Sequence, residues 1–345
     1  MPVNKTKLLS IFLHSLFIFN FNLTIASSIT ITAAGDLMLG SWTQDVIENF
    51  GYDYPFQNID TIFEDADIIF ANLEAPFGST GQVFPKTYSF QVRPDLINVL
   101  TAGKINLVSI ANNHIMDFGI ESLTETINLL KKNAVWFAGA GLNLSQAREP
   151  ALFQVKEKRI AFLAYSLTFP EEFWATDTSA GTCFPFDTFV YKDIKKIKAE
   201  NDFVIVSCHW GEELRETPKD YQIELAHNLI DAGADIILGH HPHVVQGIEL
   251  YKEKLIAYSL GNFIFGSYSK KATESFILKI NWDETGLQSC KIIPINVFNE
   301  EIEFQPTPFS GEEKMIFLEK LNKLSVELNT TPIVISSDGN VIKKT

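Results

Sequence analysis

Short apolar runs, each followed at once by a polar cluster, recur along the chain. Continuous runs of this length are typical of strands buried on both faces, and the stretches between them have helical spacing. Five runs end at clusters rich in metal-ligating residue types: 29–32, 68–71, 107–111, 203–208 and 236–238. Because the carboxyl ends of parallel strands share one edge of an α/β sheet, the pattern predicts one pocket at the edge of a single sheet.

Helices are predicted between these runs. Residues 120–133 place Leu123, Ile127 and Leu130 on one face, and residues 94–102 open with a proline and end before Gly103. Further helices are predicted over 44–49, 58–65, 191–200, 219–232 and 311–328, and further strands over 160–165, 255–258, 276–280 and 291–297. A long loop over 169–190 is a candidate lid or substrate wall.

The first 28 residues have the pattern of a secretory signal. Lys5 and Lys7 precede an apolar stretch over 8–25, and small residues at 26–28 offer a cleavage point. This predicts export to the periplasm or cell surface. An uncleaved membrane anchor stays open as the alternative, although an anchor needs about 20 apolar residues and polar side chains interrupt this stretch.

Composition narrows the range of partners and cross-links. A formal net charge of −14 and an isoelectric point near 5.0 argue against a nucleic-acid partner, which would require a basic surface. The three cysteines, Cys183, Cys208 and Cys290, are too few for a disulfide framework. Cys208 reads as a small core residue, and a bridge between Cys183 and Cys290 stays open.

Several strand ends carry side chains that divalent metals prefer, namely carboxylates, amide oxygens and imidazoles. The candidate metal ligands are Asp36, Glu74, Asn113, His209, His241 and His243. A lone Gly-Asp or Asn-Asn-His is usually loop chemistry, but three histidines within four residues are harder to dismiss. A His-x-His turn can direct two imidazoles to one ion or to two neighbouring ions. Which of His240, His241 and His243 are ligands stays open.

Six motifs follow one another in an order that resembles a known family. They are Gly35-Asp36 with Gly40, Asn72-Leu73-Glu74, Ala111-Asn112-Asn113-His114 with Asp117 and Gly119, His209-Trp210-Gly211-Glu212, Gly239-His240-His241-Pro242-His243-Val244, and Ser259-Leu260-Gly261-Asn262-Phe263. The chain closely resembles the CapA family of capsule and poly-γ-glutamate synthesis proteins, which is related to the calcineurin-like metallophosphatases. The resemblance covers roughly residues 29–300.

The resemblance implies a fold and a domain organisation. It implies an α/β fold that is a four-layer α/β/β/α metallophosphatase-like sandwich, which strand patterns alone do not distinguish from a single sheet. The domain would span 29–300, after a signal peptide over 1–28. Residues 301–345 would form a C-terminal extension whose helix packs on the main domain.

The resemblance also implies roles for individual residues around one or two divalent ions, with Mn, Zn or Fe as candidates. Asp36 and His243 look like ligands of a first metal, and Glu74 stands where a bridging carboxylate is usual. Asn113, His209 and His241 look like ligands of a second metal. His114, beside Asn113, is the candidate general acid, and both are assigned to catalysis. Relatives carry a histidine where this chain has Met38, so the first metal lacks one ligand.

Three functions are compatible with these features. The first is a metal-dependent hydrolase of a phosphoester or a γ-glutamyl amide bond. The second is a non-enzymatic accessory protein that holds or guides a polyanionic surface polymer through the metal site and Arg93 or Lys86. The third is a metal-stabilised interaction module. Arg93, Glu212 and Asn262 are the candidate substrate-binding residues. The implied partners are an anionic polymer or a small phospho- or peptide substrate, and membrane-associated polymer synthesis machinery.

Overall fold

The computed structural model describes residues 28–185 and 189–344, so the predicted signal segment lies outside it apart from Ser28. The strands are β1 Ile29–Met38, β2 Ile68–Leu73, β3 Leu107–Ser109, β4 Trp136–Ala138, β5 Ala140–Gly141, β6 Ala151–Val155, β7 Lys158–Ser166, β8 Gly181–Thr182, β9 Phe203–His209, β10 Ile236–His240, β11 Ile248–Tyr251, β12 Lys254–Ala257, β13 Asn262–Phe265, β14 Glu274–Asp283, β15 Gly286–Asn296, β16 Thr307–Pro308, β17 Ile333–Ile335 and β18 Val341–Lys343.

The α-helices are α1 Trp42–Phe50, α2 Asp60–Phe63, α3 Ile97–Ala102, α4 Gly119–Lys132, α5 Leu144–Ala147, α6 Phe189–Glu200, α7 Asp220–Ala232, α8 Asn299–Ile302 and α9 Gly311–Val326. Every helix and strand predicted from the sequence is present within a few residues. The helix predicted over 58–65 is reduced to a single turn, and a 3-10 turn begins the one predicted over 94–102. The loop predicted over 169–190 contains a 3-10 turn at Glu171–Phe173 and the short strand β8.

Two main sheets, rather than one, carry the strand ends that hold the polar clusters. Sheet I has the order β16-β15-β14-β1-β2-β3-β4, with β13 paired to β1, and sheet II has the order β11-β12-β10-β9-β7-β6. The expectation of a single shared sheet is therefore wrong. The sequence pattern could not separate one sheet from two, because a buried parallel strand has the same apolar pattern whichever sheet it joins.

The two sheets pack face to face, with helices on both outer faces. Phe70 and Phe162, one from each sheet, meet in the core between the sheets with their ring centroids 5.5 Å apart. Helices α1, α3 and α4 bury apolar side chains against the outer face of sheet I, and α6 and α7 do so against sheet II. The four-layer α/β/β/α arrangement implied by the resemblance is confirmed.

Strand alternation directs the polar side chains at the strand ends into the space between the sheets. In β9, Phe203 and Ile205 lie in the core between the sheets, so the same period of two turns His209 inward. Cys208 faces the helices instead, as expected. Between Ala33 and Asp36, β1 advances by three positions while its partner β2 advances by two, from Phe70 to Asn72, and this bulge re-aims the side chain of Asp36.

Two glycines are in close contact where the chain crosses from sheet II to sheet I. After β12 in sheet II, the chain crosses to β13 in sheet I, where Asn262 lies beside Asp36 in parallel register. At the crossing, a Cβ atom on Gly35 would lie 1.9 Å from the carbonyl oxygen of Gly261, which itself has a φ of +77°. Only glycine permits this approach, so the contact holds β13 against β1.

Helix α9 packs through Phe317, Leu318 and Leu321 on the core between the sheets.

Cys183 lies between sheet II and its helices whereas Cys290 lies between the sheets, so the bridge between them is not formed and both thiols are free. Within residues 28–185 and 189–344, no helix has the length and apolar character needed to cross a bilayer.

Candidate metal centre

The six predicted metal ligands come together where the carboxyl ends of both sheets meet. Their ligand atoms form two overlapping groups, Glu74 with His241 and His243, and Asp36 with Glu74 and His209. Within each group these atoms all lie within 4.8 Å of one another. Asn113 joins them, because its Oδ1 lies 2.8 Å from Nε2 of His209.

Glu74 presents a buried oxygen that has no hydrogen-bond partner. Its Oε1 atom lies 3.7 Å from Nε2 of His209 and 3.7 Å from Nε2 of His243, beyond hydrogen-bonding distance of either. Two ligands of one zinc ion, each at about 2.1 Å, lie about 3.4 Å apart in a tetrahedral site. Oε1 of Glu74 is therefore spaced from each of these two nitrogens as two ligands of one cation would be.

The histidine turn after β10 adds another unpartnered atom. Nδ1 of His241 is buried and has no hydrogen-bond partner. His241 has a φ of 94° and His243 a φ of 59°, left-handed conformations that are uncommon for residues other than glycine. Backbone strain of this kind collects at functional sites, where the surroundings hold it in place.

Asp36 is surrounded by hydrogen-bond donors. Oδ1 accepts from Nδ2 of Asn72 at 2.9 Å and lies 3.1 Å from Nδ1 of His240. Oδ2 lies 3.3 Å from the backbone nitrogen of His241 and 3.2 Å from Nδ1 of His243. The carboxylate of β1 in sheet I thereby fixes the turn that follows β10 in sheet II.

Burial and neighbouring charges shift the pKa values of the two carboxyls in opposite directions. Burial raises the pKa of the Glu74 carboxyl well above its usual value, and the charge of Asp36 adds to that shift. Burial also acts to raise the pKa of Asp36, but hydrogen bonds from His240 and His243 hold it well below its usual range. A cation bound beside Glu74 would favour its ionised form.

Burial and neighbouring charges also shift the pKa values of three histidines of the cluster in opposite directions. Burial lowers the pKa of His209 well below its usual value, and together with the charge of His243 it lowers the pKa of His241 to about 3. Burial also disfavours charge on His243, but Glu74 and Asp36 outweigh it and raise its pKa to about 10. His209 and His241 are thus neutral at pH 7, the form that binds metal ions.

Beside the cluster, His114 is held by a buried carboxylate and a lysine. Its Nδ1 lies 2.7 Å from Oδ2 of Asp117 and 3.1 Å from Nζ of Lys86. Lys86 also pairs with the other oxygen of Asp117 at 2.5 Å, and its ammonium lies 5.1 Å from the ring centre of Phe173, in the loop predicted as a lid. Burial lowers the pKa of His114 although Asp117 opposes the shift.

A cleft of about 430 Å³ opens onto these residues. Its walls carry five aromatic side chains, which are Trp42, Tyr88, Phe90, Phe265 and Tyr268. His114, His243 and Asn262 lie among the residues that line it, together with the carboxylate of Glu213. Pockets with apolar walls and a few converging polar groups are typical of small-molecule sites.

The three predicted substrate-binding residues fall in different places. Asn262 belongs to the cluster, with its Oδ1 3.0 Å from Nδ1 of His243. Arg93 does not, because its exposed guanidinium pairs with Glu48 and Asp95. Glu212 is exposed and pairs with a lysine outside the cleft, so neither residue lies where a substrate at the metal cluster would bind.

The sequence assigns no role to two contributing residues, Asn72 and Asp117. It leaves His240 open as a ligand and offers Lys86 only as a contact for a polyanion. Asn72 and Asp117 belong to the motifs already quoted, and a period of two from Phe70 places Asn72 on the inner face of β2. Lys86 carries no such signal, because it reaches His114 from a loop without regular structure.

The side chains present fit a divalent metal ion. Carboxylate oxygen, amide oxygen and imidazole nitrogen suit hard and borderline ions, and two of the buried ligand atoms, on Glu74 and His241, lack any other partner. Met38 does not add to them, because its sulfur accepts a hydrogen bond from the backbone of Gly40 at 3.2 Å.

Solved structures with a related arrangement are only loosely similar. A putative 5′-nucleotidase from Staphylococcus aureus is 12% identical, with a TM-score of 0.46, over 86% of this chain and 58% of that one. The calcineurin-like phosphoesterase YfkN from Bacillus subtilis is 15% identical, with a TM-score of 0.44, over 75% of this chain and 86% of that one.

Sequence relatives are closer. The "PGA biosynthesis protein CapA" of Bacillus subtilis is 33% identical over 267 residues, 76% of this chain and 70% of the relative. The "Capsule biosynthesis protein CapA" of Bacillus anthracis is 29% identical over 277 residues, 78% of this chain and 67% of the relative. A "Probable polyglutamine synthesis accessory protein" of Mycobacterium tuberculosis is 32% identical over 57% of this chain and 55% of the relative. The profile of the family described as "Bacterial capsule synthesis protein PGA_cap" matches residues 30–267, so the chain belongs to this family.

Proposed function

We propose that the chain is an exported, divalent-metal-dependent hydrolase of capsule or poly-γ-glutamate biosynthesis. It would cleave a phosphoester or a γ-glutamyl amide bond. The observation that carries the proposal is the buried pair of Asp117 and His114, in which His114 lines the same cleft as His243 of the metal cluster. An acid–base group beside a metal is what hydrolysis requires and what metal binding alone does not.

Each part of the cluster has a chemical task in such a reaction. Asp36, Glu74, His209, His241 and His243 would hold one or two ions, with Asn113 beside them. A bound divalent ion supplies a nucleophile by lowering the pKa of its water to about 7, and it polarises the scissile group. Asp36, Glu74, His209 and His241 are buried, which limits access of bulk water and strengthens electrostatic interactions there.

His114 would donate the proton to the leaving group. Asp117 accepts a hydrogen bond from Nδ1, which leaves Nε2 as the nitrogen that can exchange a proton with a substrate in the cleft. Lys86 bonds the backbone carbonyl of Asn113 at 2.5 Å as well as Asp117, so it links the acid to the neighbouring amide ligand. Because burial lowers the pKa of His114, its protonated form is a stronger acid than a free imidazolium.

A non-enzymatic role is the second candidate, since the relative from Mycobacterium tuberculosis is named as an accessory protein. In that role the same metal cluster would hold an anionic polymer for membrane-associated synthesis machinery. The buried Asp117 then has no evident task, because a pure binder has little need for an oriented proton donor. This difference makes His114 the residue whose replacement separates the two roles.

Turnover tests the proposal. Purified chain is loaded in turn with Mn²⁺, Zn²⁺ or Fe²⁺ and assayed on p-nitrophenyl phosphate, bis(p-nitrophenyl) phosphate and poly-γ-glutamate. We expect metal-dependent cleavage of one bond type, lost in His114→Gln while bound metal is retained. His227→Gln is the matched control, because His227 pairs with Glu249 away from the cluster. Bound metal with no turnover on any of these substrates contradicts the enzyme and supports the accessory role.

Export is the remaining part of the proposal and rests on the pattern of the first 28 residues. A fusion of this segment to a reporter that is active only outside the cytoplasm should give activity. Replacement of Lys5 and Lys7 with glutamate should reduce that activity. N-terminal sequencing of the exported chain would show whether the segment is cleaved near residue 28 or is retained as an anchor. A fusion that is expressed but stays inactive contradicts export.

A further inference from the structure

The cleft beside the metal cluster carries an acidic side chain but no strongly basic one on its walls. Among the described residues, those that line it include Glu213 and no lysine or arginine. Lys270 and Lys271 belong to the adjoining segment but do not line the cleft, and Lys270 pairs with Glu300. Because a binding surface complements the charge of its ligand, these walls favour a neutral or cationic group over an anionic one.

The carboxylate of Glu213 is available to a ligand. Its side chain is exposed, and within the part of the chain that the structure describes no hydrogen bond or ion pair engages it. The two histidines of the lining are instead each paired with a buried aspartate. Glu213 therefore leaves one negative charge without a partner on the wall of the cleft.

The histidine turn fixes the segment that carries Glu213. The backbone nitrogen of the next residue, Leu214, donates to the carbonyl oxygen of Pro242 in that turn at 2.8 Å. Burial opposes charge on His243, whereas two buried carboxylates and, after them, Glu213 raise its pKa to about 10. A group bound by Glu213 would therefore lie close to the metal cluster rather than on a remote surface.

Aromatic rings form much of the remaining wall. Trp42 is 57% exposed and Tyr88 is 69% exposed. Trp42 also packs on Tyr268 with ring centroids 5.9 Å apart, and Phe265 packs on His243 at 4.9 Å. A cation within about 6 Å of the centre of an aromatic ring is attracted to its face, and groups of such rings bind ammonium ligands. The cleft thus combines a free carboxylate with aromatic faces, the two features that recognise an ammonium group.

We propose that this cleft binds a substrate with a cationic amino group close to the bond that is cleaved, and that Glu213 selects this group. Trp42, Tyr88 and Tyr268 supply aromatic faces for it. The inference rests on the proposed function for the presence of a cleaved bond, and it narrows the substrate class. A phosphoester of an amino alcohol and the amino end of a γ-glutamyl chain both carry such a group, whereas an interior residue of poly-γ-glutamate does not.

Binding of a small cation tests the inference without hydrolysis. The probes are choline and 3,3-dimethylbutan-1-ol, which has the same shape but a carbon atom in place of the charged nitrogen. Their affinities for the chain in the presence of Zn²⁺ are measured by ligand-observed NMR. We expect choline to bind about tenfold more tightly. Equal affinities, or no binding of choline, overturn the inference whether or not the chain is an enzyme. The expected preference in a chain that cleaves nothing supports recognition of the cation and contradicts the hydrolase instead.

Two neighbouring glutamates provide a matched pair of variants. Both are exposed, but Glu212 pairs with Lys219 outside the cleft. Glu213→Gln should reduce the preference for choline to about threefold or less, the part that aromatic faces alone supply. Glu212→Gln should retain the full preference. A full preference in Glu213→Gln, or an equal loss in both variants, overturns the assignment of Glu213.

Turnover on two pairs of substrates distinguishes the sources of the amino group. One pair is p-nitrophenyl phosphorylcholine and p-nitrophenyl 3,3-dimethylbutyl phosphate, and the other is γ-glutamyl-p-nitroanilide and its N-acetyl derivative. For the bond type that the chain cleaves, we expect the member with the cationic group to have a KM about tenfold lower at similar kcat. This difference should shrink in Glu213→Gln but not in Glu212→Gln. Equal KM values within the pair that is cleaved overturn the inference.

Discussion

Oδ2 of Asp117 lies 2.7 Å from Nδ1 of His114, and Asp117 is fully buried. In Asp117→Asn an amide replaces the acceptor and no longer selects the tautomer that keeps the proton on Nδ1. We expect kcat to fall about 10²- to 10⁴-fold, the range for loss of acid–base catalysis, with bound metal unchanged. Steady-state kinetics and metal analysis on the same preparation measure both quantities.

A control for this variant is needed because Asp117 also pairs with Lys86 and accepts a hydrogen bond from the backbone of Phe90. Lys86→Met removes the ammonium but leaves the contact between Asp117 and His114. We expect it to retain more activity than Asp117→Asn. If Asp117→Asn keeps full activity, or loses its metal, the assignment of His114 as the acid is wrong.

The metal should stabilise the fold as well as support catalysis. A ligand that binds only the folded chain adds about 2.7 kcal/mol at a concentration 100 times its Kd. Addition of Mn²⁺ should therefore raise the Tm of the unsubstituted chain. The double variant His241→Ala, His243→Ala should show no such rise, whereas His227→Gln should behave like the unsubstituted chain. An equal rise in the double variant would remove these two histidines from the ligand set.

The contact between Gly35 and Gly261 should make Gly35 intolerant of any side chain. A Cβ atom at residue 35 would lie 1.9 Å from a backbone oxygen, which cannot move without separating β13 from β1. We expect Gly35→Ala to lower the free energy of unfolding by about 3 kcal/mol or more in a denaturant titration.

Gly40→Ala is the comparison for that variant. Its Cβ would lie 3.1 Å from the sulfur of the flexible Met38 side chain and no nearer than 3.7 Å to the backbone of Gln91 or to Phe90, so we expect a loss of less than about 1 kcal/mol. Equal losses for the two variants would mean that the crossing between the sheets tolerates a side chain, contrary to the geometry.

The cysteines should behave as inert core thiols. All three are free and buried, and burial raises the pKa of Cys183 to about 12. A thiol reagent should therefore modify none of them in the native chain and all three after denaturation. A disulfide between Cys183 and Cys290, detected by mass spectrometry without reduction, would contradict the placement of these residues in different core layers.

Much of the centre could be predicted from the sequence because apolar runs mark buried strands and the residues after them mark strand ends. This logic placed Asp36, Glu74 and His209 near the histidine turn, although they are far apart along the chain. It failed for the number of sheets, since the strands before Glu74 and before His209 have the same apolar pattern but lie in different sheets.

Contacts between side chains from different strands and loops could not be predicted from the apolar pattern of the sequence. The bulge in β1 that turns Asp36 inward depends on its pairing with β2, which local spacing does not encode. Lys86 reaches Asp117 from a loop without regular structure, so no period marks it. The positive charge of Arg93 made it a candidate for binding an anionic substrate, but its guanidinium pairs instead with the surface carboxylate of Glu48.

The most direct test of the account is to locate the bound ion. Crystals of the metal-loaded chain, measured at the Mn absorption edge, should give an anomalous peak beside Glu74. The peak should fall in the group that Glu74 forms with His241 and His243 or in the one that it forms with Asp36 and His209, about 2.0–2.2 Å from the ligand atoms. No peak in either group would contradict the proposed metal centre.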